Sequence, residues 1–305
     1  MKKKNFNIFN EINVLDIFKE SCEEELTDEN FQEKLKQIKK FFIERDYLGI
    51  FNDKDLIKVY ATSYSPSRAL CWRNLFLNNE HLLKVITEKS CNCYLLGAGS
   101  GSELIGITAA YSEHLKVLKN ESTDVDHLEN VKTLSLNVQD LSDNRILLGK
   151  MEVSLRSKYS KVINDNNFKV EYSLGDILSQ EIPNLQYLKS ILENANLITA
   201  FFLLNELLSN SKLNFTKFII FLVKHMKRGS HFLVVDSAGN FSDVQIGNVD
   251  AANKKKYMVY QLLDGIKDFE ILTRCDSEWY RFPKELQFPL KLDNMRYFIR
   301  LYRKI

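Results

Sequence analysis

The sequence predicts an α/β fold: a seven-stranded sheet whose last strand is antiparallel, preceded by a helical N-terminal segment. Three observations carry this. The run "CYLLGAGSG" is apolar up to glycines at every second position, Gly97, Gly99 and Gly101, and a helical pattern resumes after Glu103. That is how a strand turns tightly into a helix. From about residue 90 onward short apolar runs alternate with helical segments, the texture of parallel strands covered on both faces. The final two strand patterns follow each other with no helical pattern between them, so they pair as an antiparallel edge unit.

The elements follow in order. Residues 11–60 carry apolar positions three and four apart among many Lys and Glu, which reads as amphipathic helices. "SYSPSRALCW" breaks and restarts that pattern, with Ser65 as N-cap and Pro66 at the first helical position. Residues 1–85 are thus expected to form a helical extension and residues 86–305 the α/β domain. The strands are expected at "CYLLGA", "VKTLSLNV", "FKVEYSLGDI", "NLITAFFLL", "HFLVVDSA", "FEILTRCDSEWYRF" and "NMRYFIRLYRKI". Between the fifth and sixth, "GNFSDVQIGNVDAANKKK" is too polar at first for a helix and reads as a mobile loop.

Bulk properties narrow the function classes. The 305 residues are 45% hydrophobic and 27% charged with a net charge of +2, an ordinary globular balance and too mild a charge to announce nucleic-acid binding without clustering. No apolar run reaches membrane-spanning length, and the basic start lacks the apolar region of a secretory signal. Five cysteines at irregular spacing point to a reducing, intracellular compartment, nucleus or cytoplasm or both. Cys91 and Cys93 are half a metal site with no second half, so Cys93 reads as the start of a buried strand and no metal is expected. No heptad or long apolar edge asks for a partner, so a monomer is expected.

The glycine loop presents bare backbone N–H groups and a helix N-terminus to a polar ligand. A P-loop is excluded because no Gly-Lys-Ser/Thr follows, and the dinucleotide fingerprint fails at its last step, where Ser102 stands. S-adenosylmethionine remains, beside the plain reading of a connecting turn. Such a site asks for a polar residue ending the second strand, for the ribose, and one ending the third, for the adenine. Asn137 or Asp140 answers the first and Asp176 the second, although Asp176 also suits a helix N-cap.

These segments resemble a known family, the fungal large-subunit (25S) ribosomal RNA uridine-N3-methyltransferases, which are class I, Rossmann-like, S-adenosylmethionine-dependent enzymes. The resemblance rests on "SYSPSRALCW", "LLGAGSGSELIGI", "FFLLNELLSNS", "GSHFLVVDSAGNFSDV" and "CDSEWYRF…LQFPLKLDNMRYFIRLYR" and covers about residues 60–305. It implies that Gly97, Gly99, Gly101 and Glu103 form the loop for the methionine end, that Asp176 holds the adenine, and that Asn205 and Glu206 lie beside the methyl group and the target base. Asn137 stands where the family usually has an acid, and Ala98, Ser100, Asn240 and Phe241 are further departures.

The chemistry that the resemblance implies needs a group to remove the N3 proton of uridine and another to orient the base. Glu206 or Asp236 would be base or orienting group, with Asn205 bonding a uracil carbonyl. The alternative is that Glu206 caps the following helix and Asp236 braces a loop. The N3 edge is hidden in a duplex, so the uridine must be unpaired or flipped out. Trp279, Tyr280 and Phe282, with Arg281 among them, are candidates for stacking and phosphate contact, against an ordinary core role. Residues 207–235 contain no acid but hold Lys212, Lys217, Lys224, Lys227 and Arg228. Together with Lys254, Lys255, Lys256, Arg296, Arg300 and Arg303 they are expected to bind RNA if they share a face. Arg68, read as sitting just inside a helix N-terminus against the dipole, asks for a phosphate or the cofactor carboxylate. The partner is ribosomal RNA or a pre-ribosomal particle.

Overall fold

The computed structural model describes residues 8–121, 132–239 and 258–305. Among the described residues the chain opens with six helices: α1 (Ile8–Ser21), α2 (Glu23–Leu26), α3 (Phe31–Glu44), α4 (Tyr47–Phe51), α5 (Lys54–Asn78) and α6 (Glu80–Thr87). Strand β1 (Cys91–Leu96) leads to α7 (Ser102–Glu121), then β2 (Leu134–Asp140), α8 (Arg145–Lys158), β3 (Phe168–Leu174) and α9 (Ile182–Leu192). β4 (Leu197–Phe201), α10 (Leu204–Asn210), α11 (Lys212–His225) and β5 (His231–Ser237) follow, and α12 (Val259–Leu263), β6 (Phe269–Tyr280) and β7 (Met295–Lys304) close the chain.

The seven strands lie in one sheet in the order β3-β2-β1-β4-β5-β7-β6. β1 pairs parallel with β4, β4 with β5 and β2 with β3, whereas β7 runs antiparallel between β5 and β6. The predicted sheet with its antiparallel last strand is therefore present. In central β4 every residue is buried, as expected of a strand covered on both faces. Edge strand β6 is mostly exposed or half-buried and carries charge, which blunts a free edge.

The chain divides into two compact units. The first comprises the chain up to Cys91, Ala98–Leu174 and Arg281–Asn294. Its spine is α5, whose N-terminus is capped by Asp53, the carboxylate accepting from Asp55 N at 2.9 Å and Leu56 N at 3.0 Å. The predicted break at Ser65 does not occur: α5 runs through Pro66 for 25 residues. A proline inside a helix costs about 3 kcal/mol, but fifteen residues of α5 are buried, and each large apolar side chain among them contributes about 1.5–3 kcal/mol. Packing overrides the local signal. α5 lies against α7, and Gly106 lets the two backbones approach; a Cβ there would stand 2.6 Å from Ala69 O and 2.7 Å from Trp72 Cβ.

Arg73 of α5 is 0% exposed. Its guanidinium forks onto Glu113 of α7, with Nη2 donating to Oε2 at 2.7 Å, while Nη1 reaches Glu11 of α1 at 3.3 Å. Burial raises the Glu11 carboxyl, opposed chiefly by the Arg73 charge. Removing one partner of such a set strands charge in the core. Arg73→Met is expected to lower unfolding free energy by about 3–5 kcal/mol in chemical denaturation; a change below about 1 kcal/mol would contradict the assignment of this ion set as a structural tie.

The second unit comprises Asn92–Gly97, Gly175–Tyr280 and Met295–Ile305. Its core joins Tyr94 and Leu96 of β1 to Ile198, Ala200, Phe232, Val234, Phe298 and Tyr302 from the neighbouring strands. Arg300, read from sequence as a surface cation, is fully buried: its Nε donates to Asp264 Oδ1 at 3.1 Å, Nη2 to Asp276, and the guanidinium sits 4.1 Å from the Tyr260 ring centroid. Arg303 pairs with Glu270, and being three residues further along β7 it points to the other sheet face. The three β7 arginines therefore do not form one patch. The lysine run Lys254–Lys256, and the mobile loop expected around it with Asn240 and Phe241, lie outside the described residues.

Candidate active site

The glycine loop begins at the end of β1. Gly97 has φ +62° and Gly101 φ +81°, the left-handed region that glycine occupies without strain. Gly99 is there for space: a Cβ would meet Asp140 Cγ and Oδ2 at 2.6 Å and Asn144 Nδ2 at 2.8 Å. The backbone of the loop and the end of β2 touch directly, Gly99 N donating to Asp140 Oδ2 at 2.8 Å while Asp140 Oδ1 accepts from Ser142 N at 2.8 Å.

These contacts decide where β2 ends. Asn137 stands in mid-strand, in register with Glu171, and the strand continues to Asp140. The residue expected at the strand end is therefore Asp140, not Asn137. Burial raises its carboxyl, and the bonds from Ser142 and Gly99 oppose that shift. Beside it Asn144 is buried, and its Nδ2 has no hydrogen-bond partner among the described residues. Sequence reasoning missed Asn144, because an Asn before a helical pattern reads as a cap. Its side chain makes no capping bond to α8, so a buried donor remains for a ligand to satisfy, at a cost of about 1–3 kcal/mol until it does.

Glu103 lies buried in the first turn of α7. Its Oε2 accepts from Ser102 Oγ at 2.7 Å, and Ser102 Oγ in turn accepts from Trp72 Nε1 at 3.3 Å. Burial pushes the Glu103 carboxyl up to about 7, against the Ser102 hydrogen bond and the positive charge of Arg68. Arg68 is in mid-helix, since α5 does not restart at Ser65, so the dipole argument for it falls. Its guanidinium donates to Tyr60 Oη and lies 5.2 and 5.5 Å from the ring centroids of Tyr60 and Tyr64.

Asp176 follows β3 on the surface and accepts from Leu178 N at 2.8 Å, making a local turn and no helix cap, since α9 starts only at Ile182.

In the second unit the corner after β4 is the notable feature. Phe202 has φ +52° and donates its N–H to Val235 O at 2.8 Å. A bulky residue in this region stores about 1–3 kcal/mol of strain and marks functional corners; nothing in the identity of a phenylalanine announces it. The turn delivers Asn205 and Glu206 into the first turn of α10, whose N-cap, Leu203, has no side-chain cap. Asp236 at the end of β5 supplies it from outside: Oδ2 accepts from Asn205 N at 3.2 Å and Oδ1 from Ser237 N at 2.7 Å. The carboxylate serving this helix start is thus that of Asp236, and Glu206, next to Asn205 in sequence, is half-buried.

The Asn205 side chain is 7% exposed, and neither its Oδ1 nor its Nδ2 has a hydrogen-bond partner among the described residues. A buried amide with both ends orphaned is unfavourable unless a ligand pairs with it. On the β6 and β7 edge, Trp279 is 53% exposed and stands in register with Arg296, whose Nε donates to Ser277 Oγ at 2.9 Å. Arg281, in the other unit, is exposed.

The family model described as "Putative SAM-dependent methyltransferase" matches residues 18–303. The 25S rRNA (uridine(2843)-N(3))-methyltransferase of Saccharomyces cerevisiae is 29% identical over 318 residues, covering 95% of this chain and 85% of the yeast protein. Among solved structures, TehB from Haemophilus influenzae superposes with a TM-score of 0.40 at 16% identity, over 77% of this chain and 67% of that one. An rRNA methylase from Streptococcus thermophilus gives 0.38 at 11% identity, over 76% and 96%. The family match takes in β1 to β6 and all but the last residue of β7, and the chain therefore belongs to this family of S-adenosylmethionine-dependent methyltransferases, on the class I sheet.

Proposed function

We propose that the chain methylates N3 of a uridine in large-subunit ribosomal RNA. The observation that carries this is the orphaned, buried amide of Asn205. The uracil edge around N3 has a carbonyl on each side of an N–H, and an amide N–H can donate to one of those carbonyls while N3 stays open to the methyl donor. The yeast relative, whose name states this reaction, supports the same substrate class.

S-adenosylmethionine supplies a methyl group on a sulfonium. The bare backbone at Gly97, Gly99 and Gly101 would admit it, and the unmatched Asn144 Nδ2 beside Gly99 supports a ligand there. We assign Asp140 to the ribose hydroxyls, in preference to Asn137, because Asp140 ends its strand next to Gly99. Glu103 is assigned to the ammonium of the methionine end, Arg68 to its carboxylate or to an RNA phosphate, and Asp176 to the adenine.

On the substrate side, Asn205 Nδ2 donates to a uracil carbonyl and fixes the ring, so that the N3 lone pair is aimed once its proton has left. Glu206 accepts that proton as general base. Asp236 holds Asn205 through its backbone N–H and acts as a positioning residue. Trp279, Arg281 and Arg296 are assigned to the RNA around the target.

The test is single-turnover methylation of deproteinised large-subunit RNA, with the product nucleosides resolved by mass spectrometry. 3-Methyluridine is the expected product, and Glu206→Gln is expected to slow its formation by about 10²–10⁴-fold. A methyl group found on any other atom would end the uridine-N3 reading. A Glu206→Gln enzyme with full rate and unchanged pH dependence would remove Glu206 as the base.

A further inference from the structure

We infer that the outer face of α11 docks the phosphate backbone of an RNA helix flanking the target uridine, a contact separate from the site that holds the base. The inference rests on the RNA substrate proposed above. Residues 207–235 contain no acid. In α11 the residues Phe215, Phe218, Ile219 and Leu222 are buried, which turns Lys217 and Lys224 outward together with Lys227 and Arg228 just beyond the helix. Lys217 and Lys224 are seven residues apart, hence on one stripe and about 10 Å from each other along the axis. None of these four cations has an acidic partner among the described residues.

The preference for cations at a helix C-terminus accounts for Lys224 and its successors but not for Lys217, in the middle of α11. Leu213 and Ile220, 66% and 63% exposed, share the face. A single-sign face of this kind attracts a polyanion through release of its counterions.

Position tells which part of the RNA. Asp236 and Asn205 lie at the C-terminal end of β5, whereas Lys227 and Arg228 precede its first residue, His231. Asp236 lies five residue steps beyond His231 along the strand, about 17 Å. Cations that far from the base-orienting amide cannot touch the target nucleotide. They reach a more distant stretch of the same RNA, and a regular array of phosphates is what a 14-residue helix can follow.

The experiment compares the full-length wild type with a variant carrying Lys217→Gln, Lys224→Gln, Lys227→Gln and Arg228→Gln. Two probes are used, an RNA hairpin with a long stem and a U-rich loop, and the loop sequence alone as a short strand. Affinities are measured by anisotropy across a salt series, with calorimetric S-adenosylmethionine binding alongside. The expected result is a hairpin salt slope smaller by about 3, from 0.7–0.9 per lost contact. Hairpin affinity at moderate salt is expected to fall more than tenfold, with short-strand and cofactor binding unchanged.

An unchanged hairpin slope would overturn the inference and leave the proposed function standing. Equal losses on both probes would also overturn it, by placing the cations at the target site. A glutamate-rich helical peptide, titrated beside the two RNA probes, would overturn it too if the variant lost that peptide with RNA binding intact, which would make the partner an acidic protein. A wild type that binds cofactor but neither RNA probe, and forms no 3-methyluridine, would instead defeat the reading on which the inference rests.

Discussion

Gly99→Ala is expected to weaken S-adenosylmethionine binding about 10–100-fold while leaving the protein folded. The added Cβ would stand 2.6 Å from Asp140 Cγ and Oδ2 and 2.8 Å from Asn144 Nδ2. Both obstacles are side-chain ends, so they can swing away, and Gly99 itself does not have the positive φ that strains other residues. The fold survives because nothing rigid is struck. What is lost is the placement of the Asp140 carboxylate, now unable to keep its bond from Gly99 N, and with it the charge-assisted hydrogen bond proposed above to the ribose, worth about 1.5–3 kcal/mol. Calorimetric titration measures the affinity, and thermal unfolding serves as the control. Gly101→Ala is the contrast: φ is +81° there and Met151 Sδ occupies the space, so that change is expected to lower stability as well. A Gly99→Ala protein binding within threefold of the wild type would show that the loop does not seat the cofactor.

Glu103 gives the second large effect, through pH. Its carboxyl is pushed up to about 7 by burial, from 4.5 in the unfolded chain. Because the folded state holds the proton more tightly, the native protein binds more protons than the unfolded one between these values, and stability falls as pH rises from about 4.5 through 7. A shift of this size corresponds to about 3 kcal/mol at most. A cationic ligand reverses the preference. If the ammonium of S-adenosylmethionine pairs with the ionised carboxylate, binding must expel the Glu103 proton. Affinity is then expected to rise about eightfold between pH 6 and pH 7.5, the ratio of ionised fractions for a group titrating near 7. Proton release should appear as a dependence of the calorimetric heat on buffer ionisation enthalpy at pH 6 and fade above pH 8. Glu103→Gln should bind more weakly and without this dependence. A wild-type affinity flat across this range would remove Glu103 from the ammonium site.

The strand-to-glycine-to-helix transition at 91–103 was legible because it is local. Three glycines within five residues after an apolar run have few other physical uses. The antiparallel β6–β7 pair was legible for a similar reason, since consecutive strand patterns without a crossover helix can only pair as neighbours running in opposite directions. The order of the middle strands was not legible in the periodicity, and it comes from the tertiary pairing, β3-β2-β1-β4-β5. The break at Ser65 was read wrongly because Pro66 is a strong local signal and the burial that outweighs it, against α7, comes from residues about forty positions away.

Site residues divide along the same line. Asp140 and Asn137 are both polar positions in one strand pattern, and only the structure shows that Asp140 ends the strand and accepts from Gly99 N. Arg300 looked like its neighbours Arg296 and Arg303, yet it is buried between Asp264 and Asp276, partners supplied by α12's end and by β6. Asn205, Glu206 and Asp236 could be named from their places after apolar runs. That Asp236 serves the start of α10, and that the Asn205 amide finds no partner among the described residues, follows from two strand ends meeting at Phe202. By itself, then, the sequence determined the class of sheet, the glycine loop and the residue types around it, because turns, periodicity and spacing act over a few residues. Only the tertiary structure decided which of those polar groups are held, which are buried as ion pairs and which are left open for a ligand. Hydrogen-bond satisfaction and burial are properties of groups brought together from distant parts of the chain.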